Sequence, residues 1–200
     1  LMTVIPTAYF PSIHYLRTYF TTKEVLIEWH EHFQKQSIRT RCEILTGNGT
    51  LRLSIPTMHE RGKKIPMKNV QIDHSGTWKK DHWRAIQSAY SLAPYFEDYS
   101  NEVKEIIFSE DIFLWEKNER CLRLILAVLE IDKPIGYTDS FQGISGDQSK
   151  NAFLQRDDWN LPMYQQVFSY DQDFTPNLSM IDLLFNEGPF IRNWILTTEN

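Results

Sequence analysis

The stretch WKKDHW, residues 78–83, places cationic and acid–base side chains at the start of a predicted helix. The helix should begin near Thr77, whose hydroxyl can accept a bond from a first-turn amide. Lys79 and Lys80 are unfavourable there, because the peptide dipoles already place about half a positive charge at a helix N-terminus. The free amides and the two ammonium groups would together favour an anion. The stretch therefore predicts a phosphate or carboxylate site, although two solvated lysines explain it equally well.

His82 is the candidate acid–base group of this helix. It shares a helical stripe with Ile86 and Ala89, so it faces the interior or the lip of a pocket. A histidine in that position acts as a general acid or base, or is a hydrogen-bonded core residue. Trp78 and Trp83 beside it have aromatic faces on which a sugar or a protein partner can pack.

Asp182 is the second candidate acid–base group, in the apolar stretch NLSMIDLLFNEGP, residues 177–189. A buried carboxylate must be paired or hydrogen-bonded, since its desolvation costs several kcal/mol. Asp182 would then either orient His82 or an arginine in a pocket, or complete a capping box with Ser179. Strong start and stop signals predict that this stretch is a helix.

Two arginines in KQSIRTRC, residues 35–42, form a further candidate site. If this stretch is a strand, Arg39 and Arg41 project from one face. Two guanidinium groups on one face could clamp a phosphate or carboxylate, or could be exposed hairpin charges. Cys42 is more simply an inert packing residue than a nucleophile.

A metal site is a weaker alternative. Glu28, His30 and His32 would share a face if the strand EVLIEW continued through the histidines, but no spacing fixes a further ligand. The sequence also lacks a glycine-rich phosphate loop, a Gly-x-Ser-x-Gly elbow and a His-Glu-x-x-His helix. We therefore predict no metal and no cofactor.

The charge distribution favours a small anionic ligand. The net charge of −5 argues against nucleic-acid binding, yet the segment Lys35–Arg84 carries eleven Lys and Arg against four acids. Two cysteines and the lack of a long apolar run or signal-peptide pattern predict a cytoplasmic protein without membrane insertion. The sequence does not indicate an oligomeric state.

The elements that must position these residues predict an α+β fold in a single domain, residues 1–200. Mostly antiparallel strands with a hairpin at Arg39–Pro56 form the N-terminal half, and the C-terminal half is mainly helical. The glycine-containing segment 132–160 is predicted to be a long loop or lid, and MYQQVF, residues 163–168, to be a strand.

Several of these stretches resemble the WbqC-like family of bacterial proteins. The matching stretches are YFPSIHY (9–15), FQKQSIRTRCEI (33–44), LSIP (53–56), WKKDHWRAIQSAYSLAPYFEDY (78–99) and PNLSMIDLLFNEGP (176–189). The chain departs from many relatives in having Ile5 where they have histidine and Cys42 where they have asparagine. The matching polar and aromatic residues are Lys35, Arg41, Trp78, Lys79, Lys80, His82, Trp83, Asp182 and Asn186.

The resemblance implies a role in bacterial surface-polysaccharide synthesis, including O-antigen clusters, as a possible transferase acting on sugars. We therefore expect binding of an anionic donor such as a nucleotide sugar or acyl donor, with His82 and Asp182 as catalytic residues. The expected substrate-binding residues are Lys35, Arg39, Arg41, Lys79, Lys80, Trp78, Trp83 and Asn186. The alternative is a non-catalytic sugar-binding or assembly module of a glycan pathway.

Overall fold

The computed structural model describes residues 2–58, 62–146, 152–156, 162–170 and 173–196. Short paired strands occupy the N-terminal half and helices dominate the rest. The strands are β1 (Met2–Pro6), β2 (Glu24–Glu28), β3 (Arg41–Thr46), β4 (Gly49–Ser54), β5 (Thr57–Met58) and β6 (Gln71–Ile72). The helices are α1 (Ile13–Thr21), α2 (Trp78–Tyr90), α3 (Phe96–Phe108), α4 (Leu114–Leu129), α5 (Met180–Glu187) and α6 (Arg192–Ile195). This order confirms the predicted α+β class.

The first strand pair is parallel, unlike the other two. β1 pairs with β2 from Met2 opposite Glu24 to Pro6 opposite Glu28. Parallel neighbours need a crossover connection, which α1 supplies between them. The α1 helix begins at a serine because the Ser12 hydroxyl accepts the backbone N–H of Tyr15 at 3.3 Å.

The hairpin of β3 and β4 confirms the predicted antiparallel pair. A two-residue turn joins the strands, and Gly49 at its exit has a φ of 98°, a value that glycine adopts without strain. Cys42 and Ile44 are buried on one face, as the alternating pattern predicts. The strand begins at Arg41, so the predicted start at Arg39 is two residues early.

The long predicted loop is confirmed where it is described. Residues 130–146 contain no helix or strand, and the next described element is a short 3₁₀ turn at Ala152–Leu154. The predicted strand at residues 163–168 is wrong, because residues 162–166 are irregular and 167–170 form a turn. The remaining 3₁₀ turns are Met67–Asn69 and Gly188–Ile191.

A continuous hydrophobic core joins the two halves. It runs from Ile5 and Leu16 through Ile44 of the hairpin to Ile86 of α2 and Leu184 of α5. Burial of α5 on nearly all sides explains why its sequence is apolar all round. None of the helices in the described ranges has the length and apolarity needed to cross a bilayer.

Candidate functional site

Guanidinium groups cluster on one face of the β3–β4 hairpin. The register places Arg52 opposite Glu43 and Arg41 opposite Ser54, so all four side chains belong to the same face. Arg41 and Arg52 are therefore diagonal neighbours, within reach of one ligand for long side chains. We call Arg41, Glu43, Arg52 and the adjacent Arg156 the arginine face.

The arginine face carries more positive than negative charge. Glu43 binds Arg52 at 2.9 Å through Oε1 and Arg156 at 2.5 Å through Oε2. Arg41 is partly buried, and no acidic partner is found for it among the described residues. Burial, and next the charge of Arg52, lower the pKa of Arg41 below its usual value. An anion placed beside Arg41 would stabilise the charged guanidinium and so oppose both effects.

The predicted pairing of Arg39 with Arg41 is wrong. Residues 37–40 form a turn, closed by a bond from Thr40 N–H to Ser37 O at 3.0 Å, so Arg39 does not share a strand face with Arg41. The Arg39 guanidinium is buried and binds Glu31 through Nε at 2.5 Å and Nη2 at 2.8 Å. Sequence alternation missed Arg52 because its position beside Arg41 depends on strand register.

The lysines of α2 have different surroundings. Thr77 precedes the helix without capping it, because its hydroxyl donates to Asp81 Oδ2 at 2.6 Å. Lys79 Nζ binds Glu110 Oε1 at 2.7 Å and the Ser109 carbonyl at 3.2 Å, just after the end of α3. A cation is favourable at that C-terminal end. The Lys79 ammonium, unfavourable at the start of α2, therefore stabilises the C-terminal end of α3.

Lys35 and Lys80 are exposed and have no ion-pair partner in the described part of the chain. Lys35 lies in the loop before the 37–40 turn, next to Gln36, which has a φ of 57°. Their predicted contact with an anion stays a prediction.

A buried lysine of α4, Lys117, lies close to Lys79, and both bind the Ser109 carbonyl. Lys117 has no solvent exposure, and its Nζ donates to the carbonyls of Ile106 at 2.6 Å and Ser109 at 3.0 Å. It also lies 3.5 Å from Asp111 Oδ2. Burial outweighs that carboxylate and lowers the pKa of Lys117 to about 8. Lys117 was not predicted as a site residue, although its three-residue spacing from Leu114 and four-residue spacing from Cys121 put it on the apolar stripe.

Trp78 and Trp83, whose rings were predicted to bind a ligand, contact other side chains of the protein. Trp78 is buried, and its ring centroid lies 5.8 Å from Lys79 Nζ and 5.9 Å from Lys117 Nζ. Trp83 is partly buried and stacks on Phe96 with 6.2 Å between ring centroids. These contacts stabilise the α2–α3–α4 packing.

His82 is held on both sides of its ring. Nδ1 lies 3.1 Å from the Tyr9 hydroxyl, and Nε2 lies 3.1 Å from the Ser54 carbonyl oxygen. A carbonyl only accepts, so Nε2 carries the proton and Nδ1 accepts from Tyr9. Burial is the main cause that lowers the pKa of His82 to about 4, so the ring is neutral at pH 7. These contacts describe a hydrogen-bonded core histidine.

Asp182 is fully buried in a different network. Its Oδ1 accepts from Tyr90 OH at 2.8 Å, and its Oδ2 accepts from Tyr164 OH at 2.5 Å and from Gln166 Nε2 at 3.0 Å. Burial raises the pKa of this carboxyl although all three donors oppose the shift. With partners unlike those of His82, Asp182 does not orient that ring. Catalysis by either residue stays a prediction.

The capping residues of α5 are only partly as predicted. The Ser179 hydroxyl accepts Ile181 N–H at 3.3 Å, but the Asp182 side chain binds the tyrosines instead of completing a capping box. Asn186 is buried and donates to the Asp182 carbonyl at 2.7 Å, within its own helix. These bonds do not test the predicted contact of Asn186 with a substrate, which stays a prediction.

Cys42, His30 and His32 are the remaining candidate reactive residues. Cys42 is buried, and burial raises the pKa of its thiol, so a nucleophilic thiolate is unfavourable. β2 ends at Glu28, so the strand does not extend to His30 and His32. Across the described ranges no three His, Cys, Asp or Glu side chains form a group that could hold a metal ion.

Comparison with known proteins places this α+β chain in a family. The model of the WbqC-like protein family matches residues 7–157, and the chain belongs to that family. It is also similar to the uncharacterized protein Rv1507c of Mycobacterium tuberculosis (strain ATCC 25618 / H37Rv). The two are 24% identical over 215 residues, which cover 92% of this chain and 93% of that protein. No solved structure matches the chain.

Proposed function

We propose that the chain binds an anionic donor at the arginine face and transfers a group from it in the cytoplasm, during bacterial surface-polysaccharide synthesis. A nucleotide sugar or an acyl donor with a phosphate group has the charge that this face would accept. The observation that carries the proposal is the partly buried Arg41, which has a second guanidinium beside it and no acid of its own among the described residues.

In this proposal each member of the arginine face has a role in binding. Arg41 offers a planar fork of N–H donors, which fits two oxygens of a phosphate. Glu43 holds Arg52 and Arg156 in place and offsets one of the three positive charges. The two that remain favour a diphosphate over a single negative charge.

Binding is tested by isothermal titration calorimetry with UDP-glucose and with pyrophosphate, on the wild type and on Arg41→Met. We expect a loss of about tenfold or more in affinity, which corresponds to the roughly 1.5–3 kcal/mol of a charge-assisted hydrogen bond. Lys23→Met removes an exposed cation at the start of β2 and is the matched control. Equal affinity in the wild type and Arg41→Met, or no binding to the wild type, would refute the proposal.

A non-catalytic binding module is the second candidate. It is favoured by the engagement of both ring nitrogens of His82, which leaves neither free to move a substrate proton. The two functions are separated by incubating the protein with a nucleotide sugar, where water can accept the sugar, and following release of the nucleotide by chromatography. Release that is faster than in buffer, and slower in Arg41→Met, supports the transferase. Tight binding without release supports the module.

A further inference from the structure

A cleft of about 620 Å³ opens beyond the C-terminal end of β2, apart from the arginine face. Its walls come from three chain segments, represented by His30, His32, Phe33, Lys64, Phe141 and Ile144. The first two segments are held together by backbone bonds from Phe33 N–H to Ile65 O and from Met67 N–H to Glu31 O, both 2.8 Å. This volume lies in the range of small-molecule sites.

The third wall is fixed by a buried carboxylate. Glu28 has no solvent exposure and accepts backbone N–H groups of His30 at 2.8 Å, Gln142 at 2.7 Å and Gly143 at 3.2 Å. The Thr138 hydroxyl also donates to it at 2.9 Å. One side chain therefore ties the 138–143 segment to the end of β2, so this wall of the cleft is preformed.

The charge of the described lining is positive. Its acid, Glu31, is buried and neutralised by the two bonds from Arg39. Lys64 stays without such a partner in the described ranges, and the imidazoles of His30 and His32 add possible hydrogen-bond donors. This combination attracts an anionic group and disfavours a cation.

The cleft also has an apolar side. Phe33 and Ile144 line it partly buried, and Phe141 is 66% exposed although it lies on a segment that Glu28 holds in place. A large apolar side chain fixed at the mouth of a polar cleft offers a surface for an apolar or aromatic ligand face.

We propose that this cleft is a binding site for a small ligand with an anionic head and an apolar body, a phosphate monoester or a carboxylate. Lys64 and the two imidazoles receive the head, and Phe33, Phe141 and Ile144 receive the body. The proposal rests on the geometry of the cleft and is independent of the arginine face.

The test uses four probes in ligand-observed NMR and calorimetry: phenyl phosphate, benzoate, benzyl alcohol and inorganic phosphate. Phenyl phosphate or benzoate should bind at least about fivefold more tightly than the neutral alcohol and than inorganic phosphate, since each control lacks one half of the recognised chemistry. Tighter binding of phenyl phosphate assigns the natural head as a phosphate ester, and tighter binding of benzoate assigns it as a carboxylate.

Three variants locate the binding. Lys64→Met and Phe141→Ser should each weaken the better probe about fivefold or more, whereas Lys23→Met should leave its affinity unchanged. Arg41→Met should also keep it, which separates failure here from failure of the proposed function. Circular dichroism melts check that each variant is folded. Equal binding of all four probes, absence of binding, or loss in Arg41→Met but not Lys64→Met would overturn the proposal.

Discussion

The Lys79 ammonium lies 2.7 Å from the Glu110 carboxylate, beyond the last turn of α3, and not over the start of its own helix. Its Nζ also binds the Ser109 carbonyl. The two lysines at the start of α2 therefore differ in their contacts, because Lys80 is exposed and makes no ion pair within the described ranges.

Replacing Lys79 should destabilise the fold, while replacing Lys80 should not. We expect Lys79→Met to lower the free energy of unfolding by about 1 kcal/mol through lost contacts at the C-terminal end of α3. Lys80→Met removes a cation from a helix start, so its effect should be below about 0.5 kcal/mol. Urea unfolding at low salt measures both, and equal losses would contradict the assignment.

Lys117 makes stability depend on alkaline pH. Its folded-state pKa of about 8 lies below the usual 10.5, so the folded protein releases the proton first. The cost of the buried charge is present below pH 8 and is relieved as the pH rises from 8 towards 10.5. The wild type should gain up to about 1.4 kcal/mol per pH unit relative to Lys117→Met between pH 8 and 10. A difference between the two that stays constant over this window would show that the lysine titrates normally.

His82 makes stability depend on acidic pH. Its folded-state pKa of about 4 lies below the usual 6.5, so the unfolded chain takes up a proton first as the pH falls. Relative to His82→Gln, the wild type should lose about 2 kcal/mol between pH 6.5 and 5. Denaturant unfolding at several pH values gives this difference. Parallel pH profiles of the two proteins would mean that the ring is solvated.

The Asp182 network should be costly to break. In Asp182→Asn an amide nitrogen replaces one acceptor in front of hydroxyl and amide donors, so we expect a loss of about 2–4 kcal/mol. Asp139 is exposed, and Asp139→Asn is the control, with an effect below about 0.5 kcal/mol.

A double-mutant cycle with Tyr164→Phe tests whether the loss comes from the network. The two substitutions should be non-additive, because Tyr164 and Asp182 share one hydrogen bond. Additive effects would show that the bond contributes little, and the loss in Asp182→Asn would then need another cause.

Local patterns predicted the elements well where one face is apolar. The alternation in the hairpin and the three- and four-residue spacing in α2 are local, so burial of Ile44 and Ile86 follows from the sequence. The helix beginning at Trp78 and the caps of α5 at Ser179 and Gly188 were predictable for the same reason.

The partners of polar residues were harder to predict, because tertiary contacts decide them. Tyr90 lies 92 positions from Asp182, and no spacing rule joins residues so far apart. Arg39 has the residue type expected of a ligand clamp, but a turn directs it to Glu31. Lys117 follows the apolar stripe, yet its burial depends on partners outside its own helix, the Ile106 and Ser109 carbonyls and the Asp111 carboxylate.

The Tyr90 hydroxyl accepts the backbone N–H of Leu45 at 3.1 Å and donates to Asp182 at 2.8 Å. The hairpin, α2 and α5 therefore share one chain of hydrogen bonds that ends on the buried Asp182 carboxyl group. Separating α2 from α5 would remove a donor from that carboxyl group, and separating the hairpin from α2 would leave the Leu45 N–H unpaired. These elements should therefore open to solvent together, and their slowest amides should show a common rate of hydrogen exchange.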